Sequence, residues 1–192
     1  MSFMREFVKD PMTVASLTPS SRALARQMTA PVPATGQPVV AELGPGTGAF
    51  SGAIQAILAG RGRHVAIDLN EHFTTLLAGS FPGLEAVTAD AGDLSAVLAS
   101  FGYDHADVVV SGLPWAAFGH EQQHRLLDAV IQALAPDGAF TTFAYVHARW
   151  SGAAVRFRRS LEARFEEVVL GRTVWANLPP ALVYHCRRPR KS

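Results

Sequence analysis

A doubly wound α/β sheet is the fold class this sequence predicts, on three observations. From Val39 onward, short runs of strand-forming residues alternate with helix-length segments. A glycine loop, Gly44 to Gly48, follows the first run. The last two runs have no helix between them. Regular alternation means parallel strands with helices on both faces. Two runs joined without a helix pair as an antiparallel hairpin at one edge of the sheet.

The elements follow in chain order. Over Met1–Asp10 a short helix would put Phe3, Met4, Phe7 and Val8 on one face, with Arg5, Glu6 and Lys9 off it. Such a helix either docks on the core or anchors in a membrane interface. Thr18 before Pro19 is a good N-cap and N1 pair, opening a helix to about Met28. Pro31, Pro33, Gly36 and Pro38 then read as a linker within the domain, between an N-terminal helical segment, 1–36, and the main part, 37–192. Val39–Leu43 is the first strand, followed by a helix over about 50–60. The strands His64–Asp68, Leu84–Asp90 and Asp107–Ser111 come next, with helices over about 70–80 and 93–101 between them. A helix His120–Ala135, a strand Gly138–Val146 and a helix over about 151–164 lead to closing strands at about 166–175 and 182–188.

The chain has 192 residues, 48% apolar and 17% charged. That is one ordinary domain with a core of its own. One cysteine, Cys186, excludes an internal disulfide framework and a thiol-rich metal cluster. No stretch is long and apolar enough to span a bilayer and no signal peptide opens the chain, so the cytoplasm is the expectation. The net charge of +1 conceals an asymmetry. Residues 37–147 carry three bases against eleven acids, and residues 148–192 carry ten against three. A surplus of +7 over the last 45 residues points to an anionic partner, either a nucleic acid or a membrane surface.

The strongest motif is Glu42-Leu43-Gly44-Pro45-Gly46-Thr47-Gly48 at the end of the first strand. Glycine suits a sharp turn that a ligand approaches closely, and the next helix aims its N-terminus at that ligand. Asp68 ends the second strand, 22 residues after Gly46, where a carboxylate accepts both hydroxyls of a ribose. Asp90, followed by Ala91, ends the third strand, within reach of an adenine amine. Each acid can equally cap the helix after its strand. Together they indicate an adenosine-type cofactor. Gly44, Gly46 and Ala49 also satisfy a dinucleotide fingerprint. Glu42, Gly48 and the closing hairpin favour S-adenosylmethionine instead.

On these residues the chain resembles the class I S-adenosylmethionine-dependent methyltransferases over about 37–188. The resemblance implies a Rossmann-like, seven-stranded, mostly parallel sheet whose last strand runs antiparallel, with the N-terminal helices added. It makes 37–192 the methyltransferase domain and 1–36 a membrane or substrate cap. It implies cofactor contacts from Glu42, Gly44, Gly46, Thr47, Gly48, Asp68, Leu69, Asp90, Ala91 and Ser111.

After the fourth strand, Ser111-Gly112-Leu113-Pro114-Trp115 stands where amino methyltransferases meet the target nitrogen. It resembles the Asn-Leu-Pro-Tyr/Phe of the ribosomal RNA adenine dimethylases, with Gly112 in place of the asparagine. A second resemblance covers the whole chain. Thr18-Pro19-Ser20-Ser21-Arg22-Ala23-Leu24-Ala25, Ser111-Gly112-Leu113-Pro114, Phe143-Ala144-Tyr145 and Val174-Trp175-Ala176-Asn177-Leu178-Pro179-Pro180-Ala181-Leu182-Val183-Tyr184 are similar to segments of the soluble bacterial phosphatidylethanolamine N-methyltransferases. The departures are Thr18 and Ala144, where that family has alanine and threonine. This resemblance implies transfer of a methyl group to an aminophospholipid amine by a peripheral membrane enzyme. Ser111, Gly112, Leu113 and Tyr145 would serve the reacting centre. Thr18, Ser20, Ser21, Trp115, Tyr145, Arg172 and Asn177 would hold the acceptor. Trp115 would offer its ring face to a base or a cationic amine, or else pack at the rim of the core.

Other readings stay open: an RNA or DNA adenine N6-methyltransferase, a small-molecule amine methyltransferase, and a non-catalytic nucleotide-binding module. His120-Glu121-Gln122-Gln123-His124 formally matches a zinc-protease pattern. It stands at the polar first turn of a helix and lacks an obvious third ligand, so no metal is expected.

Overall fold

The computed structural model describes residues 20–191. The expected helix Met1–Asp10 and the expected cap at Thr18 lie outside the described residues. Helix α1, Arg22–Met28, is capped by Ser21, whose hydroxyl accepts from Leu24 N–H at 3.2 Å. Then follow β1 (Val39–Leu43), α2 (Ser51–Leu58), β2 (Arg63–Asp68), α3 (Glu71–Ser80), β3 (Leu84–Thr88), α4 (Leu94–Ser100) and β4 (Ala106–Ser111). After them come α5 (His120–Ala133), β5 (Leu134–Tyr145), α6 (Gly152–Arg164), β6 (Phe165–Leu170) and β7 (Ala181–Pro189).

The seven strands form one sheet in the order β3-β2-β1-β4-β5-β7-β6. Strands β1 to β5 pair in parallel, and β7 runs antiparallel between β5 and β6. The closing hairpin therefore sits at an edge, with its second strand on the inside. Burial explains the choice. Nearly every residue from Ala181 to Cys186 is buried, while β6 exposes most of its residues as an edge strand must.

Both faces of the sheet are covered, so central strands read as unbroken apolar runs. Val109 of β4 joins Leu43, Ile67, Leu127, Phe140 and Leu161 on one face. Its neighbours Val108 and Val110 join Leu24, Met28, Val40 and Ile54 on the other. The period-2 pleat divides them. Helix α1 thus packs into the same core as the sheet.

Several element boundaries differ from expectation, three of them with a consequence for the site. Helix α5 stops at Ala133, because Pro136 lacks an N–H and disfavours helical backbone just before it; β5 starts at Leu134. Strand β3 ends at Thr88, which leaves Asp90 free of the ladder to accept from Gly92 N–H at 2.7 Å. Strand β6 ends at Leu170, not near 175. Residues 171–180 form a connection folded over the carboxyl edge of the sheet, held by the Val174–Ala181 bridge.

Candidate active site

Every motif singled out for the cofactor lies at the carboxyl edge of β1 to β4. Gly44, Gly46 and Gly48 all have positive φ, +64°, +54° and +88°. That conformation is cheap only for glycine. A Cβ on Gly46 would meet nothing within 4 Å, so this backbone faces open space. A Cβ on Gly44 would come within 2.8 Å of Leu113 Cδ2. The loop is therefore open above and packed below.

Beneath the loop lies a buried polar chain. Glu42 Oε2 accepts from the Ser51 hydroxyl at 2.7 Å and faces His64 Nε2 at 3.1 Å. The Gln55 amide donates to His64 Nδ1 at 3.0 Å, which leaves the Nε2–H for the carboxylate. Glu42 and His64 are both fully buried. Glu42 was expected to touch the cofactor directly. Its second oxygen, Oε1, is buried without a partner, an unmet acceptor at the base of the loop.

Asp68 adjoins the loop. It accepts from Gly46 N–H at 3.2 Å and from Asn70 N–H at 2.9 Å. Burial pushes its carboxyl above the usual carboxylate range, and the hydrogen bonds from Asn70, Gly46 and Leu69 only partly offset that. Asp90 has a partner with no signature in the sequence, Arg125 of α5, at 3.1 Å to each oxygen. Burial raises the Asp90 carboxyl, but Arg125 and Gly92 N–H outweigh it, so its pKa lies below the ordinary value. Ala91 is buried in the core, and Thr47 is exposed on the loop.

On the acceptor side several expectations need correction. Trp115 does not present an open ring. It is 2% exposed, stacks on Phe157 at 4.5 Å, and donates its indole N–H to Ser111 Oγ at 3.0 Å. Ser111 is itself fully buried, and its hydroxyl also accepts from Leu113 N–H at 3.3 Å. Both side chains shape the Ser111–Trp115 turn. Gly112 sits against the glycine loop: a Cβ there would lie 2.6 Å from Gly44 O. No asparagine fits at this backbone position, which explains the departure from the adenine dimethylase motif.

Asn177 is buried and committed within the protein. Its Oδ1 accepts from Ser21 N–H at 2.9 Å and its amide donates to Pro179 O at 2.8 Å. It ties the start of α1 to the 171–180 connection across the chain, so its role is positioning. Arg172, in the same connection, is exposed and has no ion-pair partner among the described residues. Tyr145 ends β5 between Phe143 and His147, at 5.4 and 5.7 Å between ring centres. The structure thus brings Ser20, Ser21, Tyr145 and Asn177 to one end of the sheet. The His120–His124 pair faces elsewhere: Gln123 between them turns inward, donating to Trp115 O at 2.6 Å.

The donor set suits a nucleoside-bearing methyl donor. An open glycine cradle, a carboxylate beside it, a second at the next strand end and an unmet buried acceptor below are what such a molecule needs. Fold and site together define a doubly wound transferase that binds an adenosine-type donor. Residues 40–138 match the family model described as a methyltransferase domain. The ornithine lipid N-methyltransferase of Singulisphaera acidiphila is 35% identical over 99% of this chain and 96% of its own. A Thermotoga maritima S-adenosylmethionine-dependent O-methyltransferase shares the fold at 12% identity, with a TM-score of 0.67 over 97% of this chain and 72% of its own. A TehB-like methyltransferase from Corynebacterium glutamicum does so at 15% identity, with a TM-score of 0.61 over 96% and 95%. The chain belongs to the class I S-adenosylmethionine-dependent methyltransferases and is an N-methyltransferase. Among the described residues no helix is long and apolar enough to cross a membrane.

Proposed function

We propose that this enzyme methylates the headgroup amine of a membrane lipid, with phosphatidylethanolamine and its methylated products as acceptors. The observation that carries the reading is the span of the likeness to a lipid N-methyltransferase, 35% identity over 99% of the chain. It takes in the two segments outside the cofactor half that meet at Asn177. The name of that relative favours an ornithine lipid as a second acceptor. Both classes offer an amine beside an anionic group.

When bound, S-adenosylmethionine supplies an electrophilic methyl group on a sulfonium centre. Gly44 to Gly48 and Asp68 hold that donor, with Asp90 at its base. The protein's remaining task is alignment and exclusion of water. An alkylammonium has a pKa of about 10, so the acceptor nitrogen must shed a proton before it can attack. Tyr145 is the residue to orient the amine and relay that proton, its phenol oxygen accepting the ammonium hydrogen as its own hydroxyl hydrogen passes on to the ring nitrogen of His147, stacked against it, or to solvent. Arg172 pairs with the headgroup's anion. The basic C-terminal third and the apolar and basic residues of the segment 1–10 hold the enzyme on an anionic membrane surface from the cytoplasmic side.

The test is incubation with vesicles of each lipid and labelled donor, followed by lipid extraction. Label in phosphatidylethanolamine supports the reading as stated. Label only in ornithine lipid moves the acceptor. Label in no lipid, from folded protein that binds the donor, removes it.

A further inference from the structure

Four of the seven large apolar side chains exposed among the described residues stand at one end of the sheet. They are Trp150 (76% exposed), Leu170 (43%), Trp175 (75%) and Leu178 (70%). Topology explains where that place is. Trp150 follows the carboxyl end of β5. Leu170 is the carboxyl end of β6, and Trp175 and Leu178 stand on the connection that returns from it to β7. Tyr145 pairs with Ala181, the first residue of β7, and Val146 N–H donates to Pro180 O at 2.9 Å, so these segments adjoin. The glycine loop and both acids leave the same edge of the sheet. Nothing in the core needs these side chains, and a solvated surface gains nothing from two tryptophans.

Arginines border the same place. The Arg149 guanidinium lies 4.5 Å over the Trp150 ring. Arg149, Arg158 and Arg159 line a groove of about 330 Å³ with Trp150, Leu170 and Tyr184. Arg158 pairs with Glu162, but Arg149, Arg159 and Arg172 have no acidic partner among the described residues. Tryptophan beside unpaired arginine suits the boundary between lipid headgroups and acyl chains. The ring prefers the interface, and the cation meets phosphate.

We propose that this rim — Trp150, Leu170, Trp175 and Leu178, bordered by Arg149, Arg159 and Arg172 — is the face that docks on an anionic bilayer. The inference rests on the lipid-amine reading and deepens it. The sheet then stands with its carboxyl edge toward the membrane, and the Tyr145 end of the site opens onto the headgroup layer. A headgroup amine reaches it without the lipid leaving the bilayer. The rim acts in addition to residues 1–10.

The test compares the full chain with Trp150→Ala/Trp175→Ala/Leu178→Ala on vesicles of phosphatidylethanolamine with phosphatidylglycerol. Cosedimentation should fall by about tenfold per large side chain lost, while donor binding by calorimetry stays unchanged. Arg149→Gln, Arg159→Gln and Arg172→Gln should each cost about fivefold, and less at high salt. Unaltered chain supplies a second readout. Brominated lipid should quench the two rim tryptophans and leave a buried population, Trp115, unquenched. Unchanged cosedimentation of the triple variant, or no quenching, overturns the proposal. So does a dimer in sedimentation velocity that the triple variant breaks, with no vesicle binding, because a second copy then covers the rim. Activity on the same lipid in detergent micelles separates the two readings. Label in micelles without vesicle binding removes the rim alone. Vesicle binding and quenching without label in any lipid leave the rim and remove the acceptor.

Discussion

Arg125 holds Asp90 through two hydrogen bonds of 3.1 Å, one from each terminal guanidinium nitrogen. With Gly92 N–H also on Oδ1, that oxygen has both acceptor positions taken, and Oδ2 keeps one. One remaining lone pair is enough for one amine hydrogen. The arginine thus leaves the strand-end carboxylate ionised, fixed in direction and able to accept once more.

Replacing Arg125 with methionine should weaken S-adenosylmethionine binding by about fivefold. It should also move the acid limit of binding upward. Asp90 titrates below its ordinary value in the folded protein, so its stabilising effect is complete above the unfolded carboxyl range and fades as pH falls through the folded value. Without the guanidinium that fade begins at higher pH. Half of the Arg125 side chain and about a third of the Asp90 side chain are open to solvent, so the pair's share of stability stays within about 1 kcal/mol. Calorimetric titration across pH 3 to 7 measures both effects, and an unshifted acid limit rejects the assignment.

His64→Ala should be among the most destabilising changes in the protein. It removes one member of a buried pair and leaves the Glu42 charge with only the Ser51 hydroxyl. Such losses run to about 3–5 kcal/mol. Urea denaturation measures it; a loss below about 1 kcal/mol would mean that His64 does not support Glu42.

Gly112→Ala should lower donor affinity at least about tenfold, because its Cβ would push Gly44 O and the glycine loop out of place. Gly79→Ala is the contrast. It stands exposed in α3 with nothing within 4 Å of the added carbon, and should stabilise by about 0.5–1 kcal/mol. Donor titration and thermal melting of the two variants test the pair.

Trp115→Phe should leave the acceptor KM within about twofold and reduce stability by about 1 kcal/mol, the cost of the lost Ser111 hydrogen bond. Trp115→Ala should cost about 3–5 kcal/mol, because it opens a cavity against Phe157. A KM rise in the phenylalanine variant, with stability unchanged, would restore Trp115 to the acceptor.

Cys186 should resist thiol reagents in the native protein and react fully in urea. It is buried on β7, and burial pushes its thiol pKa far up, so almost no thiolate forms. Spectrophotometric thiol counting with and without denaturant checks this. Native labelling would mean that β7 opens readily.

The fold was legible because its signals are local. Valine runs, glycines that need positive φ and acids at strand ends are written in short stretches, and each says the same thing about its neighbours. The acceptor side was less legible. Trp115 as a letter has an open face and a buried one in equal measure, and only Phe157, some forty residues on, takes the face away. Asn177 could have faced a ligand until Ser21, 156 residues earlier, came to meet it. His64 and Arg125 had no motif at all, since a lone histidine in a strand and a lone arginine on a helix are common everywhere.

By itself, the sequence determined the doubly wound sheet, the glycine cradle and the class of donor it holds. It did so because backbone conformation and strand-end position depend on residues close by in the chain. Tertiary structure alone decided which polar side chains were spent inside the protein and which stayed available. It also decided that the tryptophans at 150 and 175 share an edge with the site. Those outcomes depend on contacts between distant segments, and nothing in a single stretch of chain records who its neighbour in space will be.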